Sequence, residues 1–175
     1  MLGEEERSEE EGSFSTASIP KRIAIVAAGG LVNIIFAILL YIILVFIVSR
    51  NFVIAISSTG NFILSMVESV KLIFTGAVTP NDLMGPIGIS EVVAQTSGIL
   101  DFLYIMAVVS MSLGVTNLLP FPPLDGGKIL IYIIELIRRK PLKENFELKL
   151  QMIGFLALIT LSIYVAFNDV GRILN

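Results

Sequence analysis

The 175-residue sequence predicts an all-α integral membrane protein: three transmembrane helices, an interfacial amphipathic helix, and a proline-rich loop unwound at membrane depth. Three observations carry this prediction. The chain is 55% hydrophobic and 15% charged, with a mean hydropathy of +0.88. A water-soluble fold this small exposes too large a share of its chain to hide that apolar content. Its uncharged runs are long enough to cross a bilayer, and one of them opens into a segment that no helix can continue.

The first run, Ile23 to Val48, has 26 residues, interrupted only by Asn33, Tyr41 and small residues. At roughly 1.5 Å per residue it crosses a hydrocarbon core of about 30 Å with room to tilt. It is too long for a signal peptide, follows an acidic leader, and has no small-residue cleavage site behind it. The other two runs, Phe102 to Leu119 and Leu150 to Phe167, have 18 residues each. Their neighbours lengthen them, which sets the spans at about 23–48, 99–119 and 150–168.

Six glutamates fall among the first eleven residues and account for the net charge of −3. Residues 1–20 read as an acidic, solvated cytoplasmic tail and 21–175 as the membrane-embedded domain. Placing the N-terminus inside puts nine of the twelve lysines and arginines on the cytoplasmic side, with the C-terminus outside. Nothing in the charge pattern suggests nucleic acid as a partner. Membrane lipid is one.

Between the first two spans, residues 61–75 place Phe62, Met66, Val70 and Ile73 at helical spacing, with Ser65, Glu68, Ser69 and Lys71 on other faces. That pattern fits an amphipathic helix in the outer interface, or equally a short helix packed on the bundle. The turn signals Val78 to Asp82 and Gly85-Pro86-Ile87-Gly88 follow.

The absence of cysteine removes disulfides, thiolate catalysis and cysteine metal sites. The absence of histidine leaves carboxylates as the strong metal ligands and removes the usual acid–base group at neutral pH. Against that background the segment Asn117 to Gly127, NLLPFPPLDGG, stands out. Its three prolines each remove a backbone donor and clash with the preceding turn, so the chain unwinds between an apolar span and the apolar half-helix Lys128 to Ile137. Broken backbone at membrane depth is tolerated where it packs in protein or lines a polar cavity. Asp125 sits in that break. An ionisable residue there is costly, which makes it a functional candidate, although a helix cap is the plainer role for an aspartate before two glycines. Asn33 reads as a helix–helix hydrogen bond, and Glu135, near Arg138 and Arg139, as an interfacial ion pair.

These residues resemble the second signature of the site-2 protease family of intramembrane zinc metalloproteases. Asn117, Pro120, Pro122, Leu124, Asp125 and Gly126 meet every fixed position of its asparagine-x-x-proline-x-proline-x-leucine-aspartate-glycine pattern. The likeness extends over nearly the whole chain. Lys21 to Asn33 resembles the start of the family's second transmembrane helix, with Gly30 where a proline is usual. Gly85 to Ser90 resembles the turn before its third, and Met1 to Glu6 its cytoplasmic loop. The nearest group is the bacterial sigma-factor-regulating type. The resemblance implies that Asp125 is the third zinc ligand, that Asn117 holds substrate backbone, and that Pro120 and Pro122 shape the loop that does so. It implies hydrolysis of a peptide bond in a transmembrane protein substrate such as an anti-sigma factor, by a zinc-activated water.

The departures from the family are as informative. Its two zinc-binding histidines and general-base glutamate come from an HExxH motif on the first transmembrane helix. With no histidine, this sequence contains no HExxH and no catalytic residue of its own. The roughly fifty residues after Arg50 are too few for the PDZ domain common in bacterial members together with the amphipathic helix. Catalytic zinc needs three protein ligands, so zinc is expected of the complete site and not of this chain alone. The expectation is the C-terminal part of a protease, inactive by itself, whose HExxH comes from a missing segment or another chain. The alternatives are one half of a split protease, or a non-catalytic protein that binds client transmembrane helices.

Overall fold

The computed structural model describes residues 14–79 and 82–174, and among them every regular element is helical. Six α-helices follow a short 3-10 turn at Phe14–Thr16: α1 Ile19–Ser49, α2 Phe52–Phe74, α3 Pro86–Ala94, α4 Ile99–Asn117, α5 Asp125–Arg138 and α6 Glu144–Leu174. The glutamate-rich start of the predicted tail lies outside the described residues.

The 31-residue α1 is the axis of the bundle. Pro20 opens it, where a missing backbone N–H is no loss. Arg50 closes it in the left-handed region (φ 54°), its N–H donating to the Phe46 carbonyl. The chain then reverses at once, because the Asn51 side chain caps α2 by accepting from the N–H groups of Val53 and Ile54. A non-glycine residue in that region costs about 1–2 kcal/mol. Arg50→Gly is therefore expected to leave the hairpin intact and raise its stability by up to about 1 kcal/mol, read as an upward shift in thermal unfolding in detergent.

Two helices run back along α1. On α2, Phe62 stacks on Tyr41 with ring centroids 4.3 Å apart and an interplanar angle of 6°. On α4, Tyr104 meets Tyr41 at 6.2 Å, and the Ser110 hydroxyl donates to the Asn33 carbonyl at 2.9 Å. Numbers rise along α4 as they fall along α1, so the pair is antiparallel. Facing glycines allow its close approach: a Cβ on Gly114 would stand 2.7 Å from the Gly30 carbonyl oxygen. Ala37, Phe62 and Met111 form the core where α1, α2 and α4 meet.

α5 continues the course of α4 down α1. Val26 and Tyr132 pack together with Phe14, whose ring lies 6.2 Å from that of Tyr132. α4 and α5 thus form one broken helix, with residues 118–124 as the break. α6 returns alongside. α2 and α4 descend α1 in the same direction, so α4 begins again at the end of the bundle where α2 began, and α3, which precedes it, docks on α6.

Among the described residues four helices are long and apolar enough to cross a membrane, α1, α2, α4 and α6, against the three spans predicted. The difference is α2. Its buried stripe runs Ala55, Thr59, Phe62, so the face predicted from Phe62, Met66 and Val70 extends two turns earlier and packs on α1. The polar cluster Ser57 to Asn61 hid this in the sequence. Within the helix these hydroxyls spend their donors on the preceding turn: Ser57 on the Ile54 carbonyl and Thr59 on that of Ala55, at 3.1 and 2.7 Å.

Candidate metal centre and proline loop

The break after Asn117 is a packed structure. Its turns are closed by the N–H groups of Leu118, Leu119, Phe121 and Leu124, which donate to the carbonyls of Val115, Thr116, Leu119 and Phe121 at 2.7–3.1 Å. The Pro122–Pro123 peptide is cis. Three glycines let this backbone lie against its neighbours. A Cβ on Gly126 would overlap the carbonyls of Leu118 and Leu119. One on Gly127 would sit 2.8 Å from the Phe121 carbonyl, and one on Gly154 of α6 would overlap the carbonyl of Pro122. The loop is therefore clamped between the first turn of α5 and the middle of α6. The two glycines after Asp125 were in view in the sequence motif. Gly154 carried no signal there, because one small residue in an apolar run is unremarkable until its neighbour is known.

The four predicted site residues bracket this loop. Asn117 ends α4 and is half-buried, Pro120 is exposed, Pro122 is half-buried against α6, and Asp125 opens α5. Asp125 does not cap the helix: Leu124 holds that position, with no side-chain bond. The half-buried Asp125 carboxylate makes no hydrogen bond or ion pair with the described residues. It lies across from Gly29 of α1, where a Cβ would stand 3.8 Å from Oδ2. A carboxylate at the first turn of a helix is favoured by the helix dipole, and the oxygens of this one are not engaged by the described residues. Among the described residues no group of three histidine, cysteine, aspartate or glutamate side chains could hold a metal. The residues present fit one zinc ligand and do not fit a complete zinc site.

Two other polar residues differ from expectation. Glu135 is buried, and its carboxylate accepts from the Leu142 N–H at 2.7 Å, so it ties the turn after α5 to the helix instead of pairing with an arginine. At Asn33 the interhelical bond runs through the backbone carbonyl and not the side-chain amide. A third site was missed altogether. Asp169 of α6 is fully buried; its Oδ2 accepts from the N–H groups of Gly85 and Gly88 at 3.0 and 2.8 Å, and its Oδ1 from Arg172 at 2.7 Å. The Gly-Pro-Ile-Gly turn read from the sequence is the other half of that contact.

The sequence matches the family model described as peptidase family M50 over residues 1–161. The chain belongs to peptidase family M50, the site-2 proteases. It is similar to the zinc metalloprotease RasP of Shouchella clausii, 36% identical over 117 residues, covering 66% of this chain and 28% of that protein. A Streptococcus pneumoniae protein provisionally named a zinc metalloprotease is 42% identical over 95 residues, covering 53% and 23%. One of Thermotoga maritima with the same provisional name is 34% identical over 123 residues, covering 69% and 24%. The chain spans about a quarter of the length of the curated relatives it matches. Among the described residues of this M50 chain, the proline loop and Asp125 bring a candidate ligand and a broken backbone together.

Proposed function

We propose that this chain is the aspartate-bearing part of an intramembrane zinc metalloprotease that cleaves transmembrane segments of membrane proteins, anti-sigma factors among them, in regulated intramembrane proteolysis. One observation carries the reading: a half-buried, unbonded carboxylate at the end of a clamped, unwound loop in a membrane protein of family M50. In this reading Asp125 supplies one zinc ligand. Asn117, at the end of α4, holds substrate backbone, with the loop of Pro120 and Pro122 fixing its position. No catalytic step belongs to the chain by itself, because the two remaining ligands and the general base lie outside these 175 residues. In this reading the N-terminus is cytoplasmic and the C-terminus external, as the lysine and arginine bias favours, with α6 running in the same direction as α1 and the chain recrossing between α2 and α4.

Co-expression with a membrane helix bearing HExxH tests this. The purified complex is expected to hold about one zinc ion, and Asp125→Ala to lower zinc content at least tenfold while the two chains still co-purify. The chain purified alone is expected to hold no zinc and to cleave no membrane reporter. Zinc unchanged by Asp125→Ala would remove Asp125 from the site. A complex that never loads zinc yet still crosslinks to transmembrane peptides favours the second reading, a binder of client helices.

A further inference from the structure

We infer that a water-filled cleft enters the membrane beside α2, open at the end of the bundle where α1 stops and reaching about the middle of α1. The depth is set by the packing of α2 on α1. Val70, one turn before the end of α2, lies with Ile34 and Val115 around a cavity of about 300 Å³. Ile34 is the midpoint of α1 and falls near the centre of its long uncharged run. The far side of α1 faces lipid above that depth, where Leu39 and Ile43 are exposed. α2 therefore ends about halfway through the bilayer, and the chain must return from there to reach the start of α4.

Two features at this depth cannot be solvated by lipid. The first is a polar stripe. Ser57, Asn61, Ser65 and Glu68 recur at i, i+4, i+8 and i+11 on the side of α2 away from its buried Ala55, Thr59 and Phe62, and all four are exposed. The Asn61 amide and the Glu68 carboxylate make no hydrogen bond or ion pair with the described residues. An ionisable side chain at membrane depth faces protein or a water-filled cavity. The second feature is the return path. Between the end of α2 and the start of α3 the described backbone forms no α-helix, and Gly76, Ala77, Thr79, Asp82 and Met84 are exposed. The nine-residue α3 extends only about 14 Å. It is held near the other end of the path, by Asp169, which lies roughly 22 Å along α6 from the Gly154 contact with the proline loop. Exposed, irregular backbone has no place in hydrocarbon. A partner helix could satisfy Asn61 and Glu68 but would leave the backbone after α2 bare, whereas water satisfies both. Gly30, against which Leu118 packs at the start of the proline loop, is one turn below Ile34, so solvent reaches nearly the depth of that loop.

The chain has no cysteine, so single cysteines report on solvent without background. The test treats intact cells and everted membrane vesicles with a membrane-impermeant, cationic thiosulfonate and measures the rate of labelling. Arg50→Cys, in the turn between α1 and α2, marks the side on which the cleft opens. Asn61→Cys, Glu68→Cys and Ala77→Cys are expected to react from that same side, within about tenfold of its rate. Leu39→Cys lies nearer the turn than Glu68 but faces lipid, and is expected to react at least about a hundredfold more slowly, because the reactive thiolate forms in water. If Asn61→Cys and Ala77→Cys are as slow as Leu39→Cys, lipid or another helix covers this face and the proposal falls. Reaction of Ala77→Cys only from the side opposite Arg50→Cys also overturns it, since α2 then crosses the whole bilayer. A reversed orientation of the protein would move every site together and leave the comparison with Arg50→Cys decisive. Zinc takes no part in the readout, so failure of the proposed metal site and failure of the cleft are told apart.

Discussion

Gly154→Val is expected to destabilise the protein by roughly 3 kcal/mol or more, at the upper end of what overpacking costs, and to free the proline loop. A Cβ at residue 154 would overlap the Pro122 carbonyl and come within 3.1 Å of the Pro123 nitrogen. These are backbone atoms, which cannot swing aside as a side-chain tip can. Retreat is blocked as well, since the loop's other side lies on Gly126 and Gly127, with no room for another atom. The loop must therefore leave α6, and Asp125 loses its setting at the same time. Thermal unfolding in detergent should fall sharply, and residues 118–124 should become open to protease. Gly60→Ala is the control. A Cβ there meets nothing within 4 Å, so replacing an exposed mid-helix glycine should raise stability by up to about 1 kcal/mol. A Gly154→Val protein that melts like wild type would refute the clamped loop.

What could be read from the sequence divides along a physical line. Long apolar runs and a triple-proline break depend on local chemistry, so α1, α4, α6 and the loop were legible, and Asp125 stood out as an ionisable group among prolines. The extent of α2 was not. Its serines and threonine look polar one by one, and only the helix reveals that their hydroxyls are satisfied by the preceding turn. The partners of single residues were also out of reach. Glu135 sits beside two arginines in the sequence, yet its carboxylate meets a backbone N–H seven residues on. Gly85 and Gly88 looked like an ordinary turn, because the carboxylate that needs them bare is more than eighty residues away. Sequence spacing describes neighbours along a helix, and these contacts join different helices.

That last contact supports the second large effect. Asp169→Ala is expected to cost about 3–5 kcal/mol, because it leaves two buried backbone N–H groups unsatisfied at about 1–3 kcal/mol each, and to detach α3 from α6. A nine-residue helix is too short to be stable alone. α3 has no side-chain cap of its own, because Gly85 holds its N-cap position. Asp169 supplies that cap from another helix, satisfying two N–H groups with one oxygen, and its negative charge also meets the positive end of the α3 dipole. Glycine is required at both positions for the carboxylate to approach: a Cβ on Gly85 would lie 2.7 Å from Oδ2, and one on Gly88 2.9 Å from Oδ1. The Arg172 pair contributes less, since that side chain is 45% exposed and its charge is screened by solvent. Arg172→Ala should therefore cost no more than about 1 kcal/mol, and Asp169→Asn should fall between the two alanine variants, keeping an acceptor but losing the charge. Hydrogen exchange separates the contributions. Amides of residues 85–94 should lose protection in Asp169→Ala while those of α1 and α4 keep theirs, whereas equal loss throughout the bundle would show that Asp169 supports the whole fold and not the docking of α3.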